Sequence, residues 1–181
     1  MDISGNKQDE LNLFDNLKTA DSETNEFTLN GTCDMGKVVY VYDGDTVHMV
    51  FNFNNKLTRF TCRLLGVDSP EICPKNVNDE IKRKQEIEVA VKSRNYLIEQ
   101  VTNMKIINER MTKKEIKTFC SSGNNLVWVK CYEFDKYGRL LVELYKNKED
   151  LVSINQDMID KKLVVKYDGG TKSKFEENNF S

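Results

Sequence analysis

An α+β fold dominated by β is predicted: a five-stranded OB-type Greek-key barrel with two to three packed helices. Two observations predict it. Five short segments carry strand-like alternation and are joined through turn signals, and one long helical stretch falls after the third of them. With 181 residues the chain has room for one well-buried domain and not for two large ones.

Residues 1–30 hold seven acids against Lys7 and Lys18 and only sparse apolar residues (Leu11, Leu13, Phe14, Leu17). They read as an acidic, disordered N-terminal tail with one helical turn near residues 9–18. The barrel domain is then expected over residues 31–170, with a C-terminal tail over 171–181. Residues 37–42 are rich in Val and Tyr and end at Asp43-Gly44. Residues 46–53 and 57–64 follow, joined by Asn54-Asn55, so the first three strands read as a meander of hairpins. In the third, Phe60, Cys62 and Leu64 share one face, and Arg59, Thr61 and Arg63 the other.

Over residues 79–102 the period changes to helical, with Ile87, Ala90, Val91, Leu97, Ile98 and Val101 on one stripe and Lys, Arg and Glu opposite. Residues 103–125 read as a basic helix extension or excursion, rich in Lys105, Arg110, Lys113, Lys114 and Lys117, that ends at the breaker Ser121-Ser122-Gly123-Asn124-Asn125. Strands return at residues 126–133 and 139–145 around the turn 135–138. A last helix is expected over 149–161, built on Leu151, Ile154, Met158 and Ile159.

Composition excludes several classes. No apolar run approaches membrane-spanning length, so no membrane association is expected. The polar, acidic start lacks the plan of a signal peptide, and an intracellular location is expected, whether cytoplasm, nucleus or virus particle. The five cysteines form no close pair, and His48 is the only histidine, which argues against zinc; free, buried or half-buried thiols are expected. The total charge of −2 divides into −5 over residues 1–30 and +3 over the rest, a balance compatible with a nucleic-acid partner.

Three runs carry chemistry: Asp43-Gly44-Asp45-Thr46, Arg63-Leu64-Leu65-Gly66-Val67-Asp68-Ser69-Pro70-Glu71, and Asp135-Lys136-Tyr137-Gly138-Arg139. Each sets charged residues beside a turn or at a strand end. Carboxylates with a main-chain carbonyl form a hard, oxygen-only donor set suited to Ca²⁺. Arg63 and Arg139 supply two planar guanidinium groups for the equatorial oxygens of a phosphodiester transition state. Glu71 is the nearest further carboxylate that could take a proton from water.

In order and content these runs are similar to the D-G-D-T, R-L-L-x-V-D-T-P-E and D-K-Y-G-R signatures of the staphylococcal nuclease family, over about residues 36–168. The resemblance implies a Ca²⁺-dependent nuclease that hydrolyses phosphodiester bonds of DNA and/or RNA with little sequence preference, acting as a monomer. It implies Asp45 and Asp68 as side-chain ligands of Ca²⁺ and Ser69 as a ligand through its carbonyl. Arg63 and Arg139 would bind the scissile phosphate, and Glu71 would activate or position water. Lys136 and Tyr137 would contact a terminal phosphate of the substrate, with Tyr167 as a second aromatic at the cleft; Asn155 would be structural. The sequence departs from the family at Ser69 in place of Thr, at Gly66 inside the strand, read as a bulge, and at Lys162 in place of a helix-ending glycine. Residues 103–125 are longer than the matching connection, the acidic tail is additional, and the third helix is expected to be short or absent. The other reading is a catalytically inactive nucleic-acid-binding or scaffold module of the same fold. Such a module would be free to lose these acids and arginines.

Overall fold

The computed structural model describes residues 7–75 and 79–170. The expected tail at 171–181 lies outside the described residues. The elements run in the order α1 Lys7–Lys18, β1 Cys33–Val41, β2 Thr46–Phe53, β3 Lys56–Leu64, β4 Val67–Asp68, α2 Glu80–Thr102, α3 Lys113–Ser122, β5 Val127–Phe134, β6 Leu140–Tyr145, α4 Ile154–Asp160 and β7 Val165–Lys166.

Five strands close into a barrel in the order β1-β2-β3-β6-β5, with β5 returning to pair with β1. All neighbours are antiparallel except β3 and β6, which run parallel with Arg63 opposite Leu141. This is an OB-type barrel with packed helices. Alternation fills its interior: Val47, Met49 and Phe51 from β2, Cys62 and Leu64 from β3, Val127, Val129 and Cys131 from β5, and Leu140, Val142 and Leu144 from β6 are all buried. The β2–β3 hairpin turns at Asn54 and Asn55, with φ of 49° and 59°, the left-handed pair that a tight two-residue hairpin needs.

The helices are set by local caps. Asp79 accepts hydrogen bonds from the backbone N–H groups of Ile81 and Lys82 to start α2, and Asn103 ends it at φ 54°. Thr112 and Glu115 form a capping box at the start of α3, which gives the basic excursion its own helix packed on β1. Among the described residues no helix is long and apolar enough to cross a membrane.

Four sequence expectations change. The last helix begins at Ile154, because Ser153 caps it and Asn147 and Asp150 close a separate turn; Leu151 lies outside it and is 98% exposed. Gly66 is not a strand bulge: its φ of +77° makes it the corner between β3 and β4. The buried face of α2 is Glu86, Ala90, Ser93, Arg94, Leu97, Ile98 and Val101, so Ile87 and Val91 are only half-buried. Polar residues occupy the first half of that face because it packs on polar turns, described below. At the N-terminus, the described part of the expected disordered tail holds the twelve-residue helix α1, and its end joins the barrel. Leu29 is buried, the Phe27 ring lies against Phe53 and Phe134, and the Gly31 N–H donates to the Cys131 carbonyl.

Cys62, Cys120 and Cys131 are buried, whereas Cys33 and Cys73 are exposed; all are free thiols. Burial pushes the Cys120 and Cys131 thiols up to about 11, which makes them inert packing residues at neutral pH.

Candidate functional site

The site assembles where the β1–β2 turn, the end of β3 and the β4 segment meet α2. Asp43 Oδ1 accepts from the backbone N–H groups of Asp45 (3.1 Å) and Thr46 (2.8 Å), an Asx turn that ends β1 and starts β2. The turn needs Gly44. A Cβ there would lie 2.0 Å from Ser93 Oγ and 2.8 Å from Ser69 Cβ, so α2 and the 69–71 segment press directly on its backbone. Ser93 Oγ, squeezed in that contact, is the one buried side-chain polar atom without a hydrogen-bond partner among the described residues.

Asp45 is thereby held inward at 2% exposure. Its Oδ1 receives Thr46 Oγ1 (2.8 Å) and Arg63 Nη1 (2.7 Å), and its Oδ2 receives the Ser69 N–H (3.0 Å). Arg63 leaves the outer face of β3, as the alternation predicts, and its Nη2 donates to Asp68 Oδ1 (3.0 Å) and to the Val67 carbonyl (3.1 Å). One guanidinium therefore joins both predicted acidic ligands. Burial alone would lower the Arg63 pKa, but Asp45 and Asp68 outweigh it and raise the value. Two carboxylates, Asp45 and Asp68, share this arginine, and Asp43 sits beside Asp45. Burial first, and then the charge of Asp45, pushes Asp43 up to about 7.

The β3–β4 corner is fixed from below. Asn155, at the start of α4, accepts from the Leu144 N–H (3.1 Å) and donates to the Leu65 (3.0 Å) and Val142 (3.0 Å) carbonyls, tying the corner to β6. Strand β7 pairs antiparallel with β4, and the Tyr167 N–H donates to the Gly66 carbonyl (2.9 Å). That return lays the Tyr167 ring over Arg63, with 5.7 Å from guanidinium carbon to ring centroid.

Arg139 stands just before β6. Its Nε donates to Asp135 Oδ2 (2.7 Å), while Asp135 Oδ1 accepts the backbone N–H groups of Tyr137 and Arg139, both at 2.9 Å. The guanidinium lies 5.4 Å from the Tyr137 ring centroid and Lys136 Nζ 5.2 Å from the same centroid. The parallel β3–β6 register sets Arg139 one strand over and two residue pairs back from Arg63, level with Thr61, roughly 8 Å between Cα atoms from strand spacing. Glu71 is exposed after the buried Pro70, and its N–H donates to Glu86 Oε1 (3.2 Å) on α2.

All the sequence-predicted residues thus lie on the loops and strand ends around one side of the barrel. Asp45, Asp68, Ser69, Arg63 and Tyr167 are joined by direct contacts; Arg139, Lys136 and Tyr137 form a neighbouring group. Among the described residues no three His, Cys, Asp or Glu side chains converge as a metal cluster. The donors are instead the two buried carboxylates of Asp45 and Asp68, hard oxygens that outnumber the single arginine between them, with the Ser69 N–H donating to Asp45 Oδ2. That chemistry fits a divalent Ca²⁺ ion. Sequence reasoning missed Glu86, which it placed on the solvent face of α2. Its four-residue spacing to Ala90, and that of Ala90 to Arg94, are the only signals of an inward face. In comparisons with known proteins, no family model and no curated protein matches the chain.

Proposed function

We propose that this chain is a nuclease of the staphylococcal-nuclease-like class, hydrolysing phosphodiester bonds of DNA and/or RNA with Ca²⁺ and little sequence preference. The observation that carries the reading is the coupling of Arg63 to Asp45 and Asp68, with a second arginine, Arg139, on the adjacent parallel strand. Three of the five N–H donors of Arg63 hold the acids and the Val67 carbonyl, which presets its plane before any phosphate arrives. Asp135 does the same for Arg139.

In this reading the two guanidinium groups grip the scissile phosphate from adjacent strands. Glu71 takes a proton from a water whose oxygen bonds to phosphorus as the ester P–O bond opens, and the departing oxygen is protonated from solvent. Negative charge that builds on the equatorial oxygens meets Arg63 and Arg139. Asp45, Asp68 and the Ser69 carbonyl would hold Ca²⁺, which supplies Lewis-acid stabilisation of that charge when bound. Tyr137 and Tyr167 offer faces for bases, and Lys136 a charge for a further phosphate.

The test is incubation of the protein with single-stranded DNA, duplex DNA and RNA, in calcium or in chelator. Cleavage in calcium that is lost in chelator is expected. Full cleavage in chelator would remove the metal assignment. Binding without cleavage under every condition would leave the inactive binding module instead.

A further inference from the structure

Helix α2 and the excursion that leads into α3 border an open cavity of about 410 Å³, among whose lining residues are Lys84, Glu88, Val91, Arg94, Arg110 and Met111. None of the residues assigned to the nuclease reading lines it. It opens on a face of α2 turned roughly 140° around the helix axis from Glu86 and Ser93. Of the basic residues of 103–125, which the nuclease reading leaves unused, Arg110 lines it, beside Met111 and Thr112.

Arg94 is the informative residue. It is only 6% exposed, yet its hydrogen-bond acceptors are neutral: Asn95 Oδ1, at 3.3 Å from Nε and 3.2 Å from Nη2, and the Glu109 carbonyl at 3.5 Å. Among the described residues it forms no ion pair with a carboxylate. Burial lowers its pKa, and the opposing influence is the Tyr40 phenol, not a carboxylate. A buried guanidinium with no counter-charge is costly, and an anion would relieve it. Lys84 and Arg110 add two exposed cations at the rim, and Glu88 subtracts one charge, which leaves the cavity at +2. Lys84 is paired at 3.1 Å with Glu80 in a fully solvated contact, the kind that exchanges readily.

We propose that this cavity binds a phosphomonoester of nucleotide size, with the dianionic phosphate on Arg94 between Lys84 and Arg110. Three features select that ligand. A phosphomonoester carries about −1.5 to −2 at pH 7, which matches the charge of the cavity. Guanidinium forks suit phosphate oxygens. The volume and the apolar wall of Val91 and Met111 suit a ligand with an organic part rather than a bare ion. The inference does not rest on the nuclease reading.

The test uses the full chain carrying Arg139→Ala, so that the Arg63–Arg139 site does not compete, with calorimetric titration in chelator. The probes are adenosine 5′-monophosphate, adenosine and inorganic phosphate. One site is expected for the monophosphate, bound more tightly than either fragment. The double substitution Lys84→Ala/Arg110→Ala touches only exposed side chains and should leave the fold intact while weakening binding by ~10-fold or more. Arg94→Ala should abolish binding; because it can also disturb the fold, the rim variant decides. Absence of monophosphate binding, or unchanged affinity in the rim variant, would overturn the proposal. Adenosine binding as tightly would remove the phosphate from it, and inorganic phosphate binding as tightly would remove the organic part.

Discussion

Arg63 Nη1 lies 2.7 Å from Asp45 Oδ1, joining the end of β3 to the turn between β1 and β2. These two residues face each other because Thr46 pairs with Arg63 across the β2–β3 ladder and the Leu64 N–H donates to the Asp45 carbonyl at 2.8 Å. Backbone register brings them together, and the ion pair then fixes the plane of the guanidinium.

If that plane matters to catalysis, charge alone will not replace it. Arg63→Lys and Arg139→Lys should each reduce turnover by on the order of 10²-fold or more, while nucleic-acid affinity falls far less. Glu71→Gln should also lose turnover with the fold retained. Cleavage rates beside binding curves for the three variants check this, and wild-type turnover in Glu71→Gln would strip that residue of its role.

Asn155 is 3% exposed and satisfies three backbone groups, at Leu65, Val142 and Leu144. Its replacement by Ala strands those groups away from water and should cost about 2–4 kcal/mol. Urea unfolding measures the loss. Because the β3–β4 corner carries Asp68 and Ser69, activity should fall with it even well below the unfolding midpoint.

Lys162 takes the left-handed conformation at φ 53°, after α4. The Lys162 N–H donates to the Ile159 carbonyl and the Leu163 N–H to the Met158 carbonyl, the paired bonds of a Schellman ending. The left-handed position that ends α4 is thus filled by a residue with a Cβ. Lys162→Gly should stabilise the fold by roughly 0.5–1 kcal/mol, since glycine adopts this geometry without steric cost. A thermal midpoint that drops would contradict it.

Truncation should show where the folded body begins. Removing residues 1–24 leaves Phe27 and Leu29 in place and should change stability little. Removing residues 1–30 uncovers the space filled by Leu29 and should cost about 2 kcal/mol or more. Equal stability of the two truncations would show that Leu29 contributes nothing.

Acid should loosen the Arg139 turn. Burial pushes the Asp135 carboxyl up, but hydrogen bonds from the Arg139 and Tyr137 backbones and from the Arg139 side chain outweigh it and hold the pKa below its ordinary value of 3.8. A depressed folded-state pKa contributes stability above the unfolded value that is lost as pH falls through the folded one. The parent should therefore lose more stability between about pH 5 and pH 2 than Asp135→Asn does. Parallel slopes in the two proteins would refute the assignment.

The sequence by itself determined the barrel, through period-two burial in five segments and through turns at Asp43-Gly44, Asn54-Asn55 and residues 135–138, because alternation and turn chemistry are local properties. It also marked the residues of the candidate site, since carboxylates and arginines beside turns are visible without coordinates. Helix bounds were less legible where a cap competed with a periodic stripe, as at Ser153, and the capping box of Thr112 and Glu115 makes a separate helix where the sequence left a helix extension or an excursion open. Only the tertiary structure decided which charges meet. The parallel β3–β6 pairing, the return of β7 that sets Tyr167 over Arg63, and the inward turn of Glu86 and Arg94 all join residues far apart in the chain. Such pairings follow from how closed sheets and packed helices fill space, and no local pattern encodes that.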